Sequence, residues 1–418
     1  MNRTTFPIKK DRIVVVGAGF AGIETVKTLL KKKVNVEVVL LSKTPLFQYY
    51  PALYKLVTGA LPIEVSVPID IIFPAHTGVR TIIGTYTGID QVRQVATYTD
   101  TTGTHELSYD CIVLALGSET NYFDIPGLAA LSFSFKSVPE ALRLKQHFCD
   151  IFSRAVGLSK DEIVPMLHVV VVGGGPSGVE LAGDLRSYLT DLAKTYTIDP
   201  NLITIDLIES GNRILQALPE KVSKLAERRL RKLGVNIFTG RVVQSQDIAS
   251  MTTRDMKMSA QTVVWTAGTR INQSFLTIPD IVLTDKKRLV VGDTLTLDTN
   301  PRVFIAGDGA GTAYSGLAQT AIHHGVYIGN AIAQLYKGKQ PAAYQSHTPA
   351  YVIPVGNYWA VLQTGSFIMS GFVPWIIRSA IDFFYFTSIV PLKYVFAVFQ
   401  QGKKYRSVTN GQCDTPMK

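Results

Sequence analysis

The chain has 418 residues, with 42 Lys and Arg against 32 Asp and Glu and a formal net charge of +10. That length leaves room for roughly two to three domains and an ample core, and the charge points to an anionic partner. Three cysteines, Cys111, Cys149 and Cys413, stand far apart without a C-x-x-C. The sequence therefore supports no disulfide framework, no zinc or other metal site and no dithiol redox pair. No nucleic-acid-binding motif accompanies the charge, so nucleic acid is not the expected partner. The opening MNRTTFPIKKDR has no apolar stretch of the length a secretory signal needs, which favours a cytoplasmic setting.

Residues 13–22 read IVVVGAGFAG, an apolar strand running into a glycine turn, with a helix expected from about Ala21 to Lys31. Gly17 permits the tight turn, Gly19 lets backbone approach a pyrophosphate, and Gly22 lets helix and strand pack closely. The next strand, VEVVLLSK, ends at Ser42, where this fingerprint expects an acid. A serine hydroxyl bonds a ribose more weakly. Alternating short strands follow to about Gly117, and Cys111 in YDCIVLALGS reads as a small buried hydrophobe.

The pattern recurs at residues 169–178, VVVVGGGPSG, with Gly173, Gly175 and Gly178 before the helical run VELAGDLRSYL. One such loop is a weak signal, because glycine turns also serve as plain connectors. Two, each between a strand and a helix, imply two nucleotide cofactors. In LITIDLIE, Glu209 ends the second strand of this unit. A carboxylate there grips ribose hydroxyls and repels a 2′-phosphate, favouring NADH over NADPH; a solvated acid is the alternative. The basic helix at 221–234 places Val222, Leu225, Leu230 and Leu233 on an apolar face, so its charges read as solvated. VVWTAGTR (263–270) and RVFIAGDG (302–309) are two more buried strands ending in glycine turns. The latter reads as a return to the first domain, with the second inserted in it.

Residues 366–401 are rich in aromatic and aliphatic side chains, and the basic cluster GKKYRS follows. Arg378, Asp382, Pro391 and Lys393 interrupt the run, so a spanning helix of about 20 apolar residues is not expected. Two shorter helices lying in a membrane interface fit better. Trp375, Phe383, Phe384 and Tyr385 would anchor them, with Lys403, Lys404 and Arg406 at the head groups. A core or dimer-interface hairpin is the alternative.

In this order, VVVGAGFAGIETVKTL, PALYKLVTG, IVLALGSETNYFDIPG, VVVVGGGPSGVELAGDL, VVWTAGTR, VFIAGDG and LAQTAIHHG resemble the two-dinucleotide-binding-domain flavoproteins. Within that superfamily the chain is most similar to the type II NADH dehydrogenases, single-subunit NADH:quinone oxidoreductases that do not pump protons. The resemblance covers nearly the whole chain. It implies an α/β fold of two Rossmann-like domains, glutathione-reductase-like, plus a C-terminal membrane-associating helical segment. The FAD domain would be 1–130 and 286–350, the NADH domain 131–285, and the C-terminal membrane or dimerisation region 351–418. It places FAD on Gly17, Gly19 and Gly22, near Ser42, Ala115, Gly117 and Ser118, with Asp308 on the ribityl chain. NADH would sit on Gly173, Gly175, Gly178 and Glu209, under Ala267 and Gly268.

The same resemblance puts Glu180 near flavin and nicotinamide, in a catalytic and proton-handling role; an N-terminal helix acid favoured by the dipole is the other reading. Gln319 and His323, four apart on one helix face, would meet the quinone. His323 departs from the family glutamine, yet imidazole also bonds and titrates near neutral pH. The implied location is peripheral, on the cytoplasmic face of the membrane, with a homodimer left open. Other flavin-dependent reductases remain rivals. Sulfide:quinone oxidoreductase and thioredoxin reductase need redox cysteine pairs that the sequence does not offer, and ferredoxin-type reductases lack the aromatic tail. A non-catalytic FAD- and NADH-binding redox sensor is the rival of another class.

Overall fold

The computed structural model describes residues 10–409 and Cys413, without the side chains at 399 and 403–409. In chain order, the elements used below begin with β1 (Arg12–Val16), α1 (Phe20–Lys31), β2 (Glu37–Ser42), α2 (Leu53–Val57), β3 (Arg80–Ile83), β4 (Cys111–Leu114) and α3 (Val138–Ala155). Next come β5 (His168–Val172), α4 (Pro176–Thr195), β6 (Thr204–Ile208), β7 (Val235–Phe238) and β8 (Thr262–Trp265). The chain continues through β9 (Thr296–Leu297), β10 (Asn300–Ile305) and α5 (Ala318–Leu335). It closes with β11 (Tyr351–Pro354), β12 (Ala360–Thr364), β13 (Phe367–Gly371), α6 (Phe372–Ile389) and α7 (Leu392–Thr409).

Two compact units result. The first comprises Met1–Phe47, Val67–Glu119 and Arg270–Pro349; the second comprises Gln48–Ser66, Thr120–Thr269 and Ala350–Lys418. In the first unit six strands run β9-β10-β4-β1-β2-β3, all parallel except the β9–β10 pair. The apolar runs VVV, VVLL and CIVL fit this place, because a parallel strand is covered on both faces. Helix α1 packs closely on α5: a Cβ at Gly325 would stand 2.4 Å from the Ala21 carbonyl oxygen.

The second unit holds a parallel sheet in the order β7-β6-β5-β8. An antiparallel meander, β11-β12-β13, belongs to the same unit. It leans on α4, where a Cβ at Gly183 would stand 2.6 Å from the Gly356 amide nitrogen. That packing groups the C-terminal segment with the second unit.

Two expectations change here. Residues 367–371 form β13 rather than a helix, since they pair residue for residue with β12, so the helical pair begins at Phe372. The cysteines do include a disulfide: Cys149 of α3 bonds to Cys413 across a sequence separation of 264. Only the fold brings them together. Cys111 is free and buried in β4, and burial pushes its thiol up to about 12. Among the described residues, no helix is long and apolar enough to cross a membrane.

Candidate functional site

The two glycine loops have the same construction. Gly17 has φ +102° and Gly173 φ +115°, a left-handed backbone that only glycine adopts readily. A Cβ at Gly17 would meet the Ala115 carbonyl oxygen at 2.3 Å, and one at Gly173 would meet the Ala267 Cα at 2.7 Å. At Gly22 and Gly178 an added Cβ would come within 1.8 Å and 1.9 Å of the Gly17 and Gly173 carbonyl oxygens. Nothing lies within 4 Å of the Cβ position at Gly19 or Gly175, the N-caps of α1 and α4, and neither cap makes a side-chain hydrogen bond. Each helix thus offers unsatisfied amides and its positive end to an open cradle that fits a pyrophosphate.

Beside the first cradle, Gly117 also has a left-handed φ of +70° and open space around it. The Ser118 hydroxyl donates to Oδ2 of Asp308, which sits in the turn Gly307–Gly309 after β10. Arg288 donates to the Asp308 carbonyl. Oδ1 of Asp308 has no hydrogen-bond partner among the described residues, leaving it available to a sugar hydroxyl. Ser42 is buried at the end of β2 and donates to the Thr44 carbonyl at 2.7 Å. Its hydroxyl proton is therefore committed to backbone, and only its lone pairs remain for a ribose.

Glu209 is built into the second loop. Its Oε2 accepts the Gly174 N–H at 2.7 Å, and Oε1 accepts the Gly211 N–H at 2.7 Å and the Gln216 amide at 3.2 Å. This is a fixed negative charge at the loop, unlike a freely solvated acid. Ala267 is exposed, while the Cβ direction of Gly268 is filled by the Phe123 ring and the Asn121 carbonyl.

On α5, Gln319 is exposed and His323 is half-buried, one turn apart. The His323 ring meets His347 edge-on at 4.3 Å. Burial and that second imidazole hold its pKa below the usual histidine value. His324, next along, is fully buried.

Glu180 lies one turn into α4, is 8% exposed, and has no hydrogen-bond partner among the described residues. Burial raises its carboxyl to about 8; Arg378 opposes the shift, while Asp184 and Asp382 add to it. A helix-dipole acid would shift the other way. Asp184, the next turn on, is raised to about 6 by burial, against Lys55. Asp382 of α6 accepts hydrogen bonds from the Tyr49 hydroxyl at 2.7 Å and Lys55 Nζ at 3.1 Å, and pairs with Arg378 Nε at 3.4 Å. Arg378 also donates to the Pro51 carbonyl at 2.8 Å.

Four of these side chains, Lys55, Asp184, Arg378 and Asp382, line the polar side of a cavity of about 1060 Å³, and Phe386 and Val395 line its apolar side. In the sequence Arg378 and Asp382 read only as interruptions of an apolar run, and Tyr49, Lys55 and Asp184 do not stand out as site residues. Opposite charges at i and i+4 inside an aromatic helix were the available signal.

The outer face of α6 and α7 carries Phe372, Ile376, Phe384, Leu392 and Phe396, each about half exposed or more. Of the four expected anchors, only Phe384 is exposed. Trp375, Phe383 and Tyr385 are half-buried, and Tyr385 stacks on Tyr49. The side chains of Lys403, Lys404 and Arg406 lie outside the described residues.

Residues 11–325 match the family model of the pyridine nucleotide-disulphide oxidoreductases. The chain belongs to that family. Its class is therefore oxidoreductase, on the expected α/β flavoprotein fold. It is 28% identical over 390 residues to the type II NADH:quinone oxidoreductase Ndh of Mycobacterium tuberculosis, covering 90% of this chain and 84% of that protein. It is 24% identical over 384 residues to the type II NADH:quinone oxidoreductase of Haemophilus influenzae, covering 84% of this chain and 86% of that protein. The solved NDH2 from Plasmodium falciparum in complex with NADH has the same fold, with a TM-score of 0.84 at 18% identity over 96% of this chain and 99% of that one. These relatives bear out the resemblance read from the sequence.

Proposed function

We propose that the chain oxidises NADH through FAD and reduces a quinone, peripherally at a membrane surface and without pumping protons. The observation that carries this is the paired construction of two open cradles, one beside Asp308 and one beside Glu209. Bound FAD supplies the two-electron chemistry that links the nicotinamide to the quinone. Gly17, Gly19 and Gly22 give it a pyrophosphate seat, Ala115, Gly117 and Ser118 shape the neighbouring backbone, and Asp308 takes its sugar chain. Gly173, Gly175 and Gly178 seat the NADH pyrophosphate, Glu209 holds its ribose, and Ala267 and Gly268 border it. Glu180 is protonated at neutral pH and stores a proton at its carboxyl, because burial raises it to about 8. Gln319 and His323 meet the quinone head as hydrogen-bonding groups.

The exposed apolar face of α6 and α7 lies on an anionic membrane surface on the cytoplasmic side, as the net charge of +10 favours. A homodimer through that face is the competing occupant. Vesicle flotation, set against the protein's mass in vesicle-free buffer, separates the two. The activity is tested on purified protein by its visible spectrum. NADH added anaerobically should bleach the flavin band, and a ubiquinone analogue should restore it. Bleaching by sulfide instead of NADH would favour the sulfide:quinone rival, and bleaching without recovery would favour the sensor.

A further inference from the structure

His324 is the most completely buried polar side chain of the first unit's C-terminal helix, with 0% exposure. Its Nδ1 accepts the Gly307 N–H at 3.0 Å. A ring nitrogen that accepts carries no proton, so in the neutral ring the proton sits on Nε2. Nε2 lies 3.1 Å from Thr312 Oγ1 and therefore donates to it. Thr312 Oγ1 is in turn 2.8 Å from Ser315 Oγ, which donates to the Ala310 carbonyl at 2.7 Å. The Tyr344 ring closes the imidazole edge-on at 4.9 Å. Burial lowers the ring's pKa to about 4, which keeps this neutral tautomer in place at working pH.

The two nitrogens span the loop that carries Asp308. Gly307 has φ +67°, and its amide is the first of the turn Gly307–Gly309. Asp308 is then fixed from three directions: the preceding amide by His324, the carboxylate by Ser118 and the carbonyl by Arg288. We infer that His324 is a positioning residue, a one-tautomer peg that sets the turn so that Asp308 presents its free oxygen to the flavin's sugar chain. This rests on the reading that FAD occupies the first cradle. Without the Nδ1 acceptor, a buried amide loses its partner and the turn reorients to find another.

The test compares His324→Asn, which keeps an acceptor near Nδ1, with His324→Leu, which has none. Thr312→Val and Thr312→Ser form a second pair that leaves the histidine in place. In each, FAD affinity is measured by titrating apoprotein, together with the flavin's visible spectrum and midpoint potential and the melting temperature of the apoprotein. We expect His324→Leu and Thr312→Val to weaken FAD binding tenfold or more and to shift the spectrum. Asn and Ser should stay within about threefold of wild type. NADH affinity of the apoprotein should not change. Equal losses in Leu and Asn, or a fall in apoprotein melting temperature with an unchanged FAD constant and spectrum, would overturn the assignment. Should His324→Leu not fold, the Thr312 pair decides the matter: equal FAD constants for Val and Ser would overturn it. A wild type that binds no FAD would sink the underlying reading instead.

Discussion

Replacing Glu180 with Gln removes a carboxyl that the fold holds at about 8 against an ordinary value of 4.5. The folded protein binds this proton more tightly than the unfolded chain does. Its contribution to stability is therefore complete below pH 4.5 and is lost as pH rises towards 8, where the buried group must ionise. Each pH unit in that window is worth up to about 1.4 kcal/mol, and the whole interval about 5 kcal/mol as an upper bound. Gln keeps the shape and carries no such penalty, so the variant should gain on wild type as pH rises. Melting temperatures from pH 5 to 8.5 read this directly. Domains of 150–250 residues move by about 2–4 °C per kcal/mol, so the Gln-minus-wild-type difference should widen by roughly 5 °C or more. A difference that stays constant with pH would refute the buried, protonated carboxyl and with it the proton store.

Glu209→Arg should lower kcat/KM for NADH about tenfold or more and raise it for NADPH; unchanged selectivity would place the ribose elsewhere. Gln319→Ala and His323→Ala should slow quinone turnover about tenfold while NADH:ferricyanide activity stays near wild type, and equal losses in both assays would remove them from the quinone site. The double change Ile376→Asp and Phe384→Asp should abolish flotation with anionic vesicles without lowering soluble NADH:ferricyanide activity, and retained flotation would move the membrane face off α6. Cys149→Ser should cost about 2–5 kcal/mol under oxidising conditions and nothing under dithiothreitol. A thiol titration of the unreduced, denatured wild type should then find one thiol, that of Cys111.

How far the sequence reveals the site depends on how local each part is. Both cradles were legible because their logic is contained in ten residues: turn, open approach, close packing. Added Cβ atoms at Gly22 and Gly178 would collide with the carbonyls of Gly17 and Gly173, the role their spacing implied. The position of Glu209 against the second loop was legible for the same reason. Residues 366–371 were misread because an apolar, β-prone stretch shows its partner strand only in the fold. The pairing of Cys149 with Cys413 and the downward shift of His323 depend on neighbours that no local pattern announces.

The region around Glu180, proposed to handle a proton, is the least local part. Glu180, Lys55, Arg378 and Tyr49 come from widely separated stretches of the chain, and the protonation state of Glu180 is set by its burial against the field of Arg378 and Lys55. Asp382 takes the direct contacts: the Tyr49 hydroxyl at 2.7 Å, Lys55 at 3.1 Å and Arg378 at 3.4 Å. Glu180 receives no hydrogen bond among the described residues, only the field of the same cations, and that field does not outweigh its burial. Asp382 is thereby bound into ion pairs, while burial leaves the carboxyl of Glu180 holding a proton. Moving the cation changes both. Arg378→Leu should leave Asp382 to Lys55 and Tyr49 alone and push Glu180 still higher, so the pH at which quinone turnover falls should rise. A profile that moved to lower pH would mean that Glu180 is not the group being titrated.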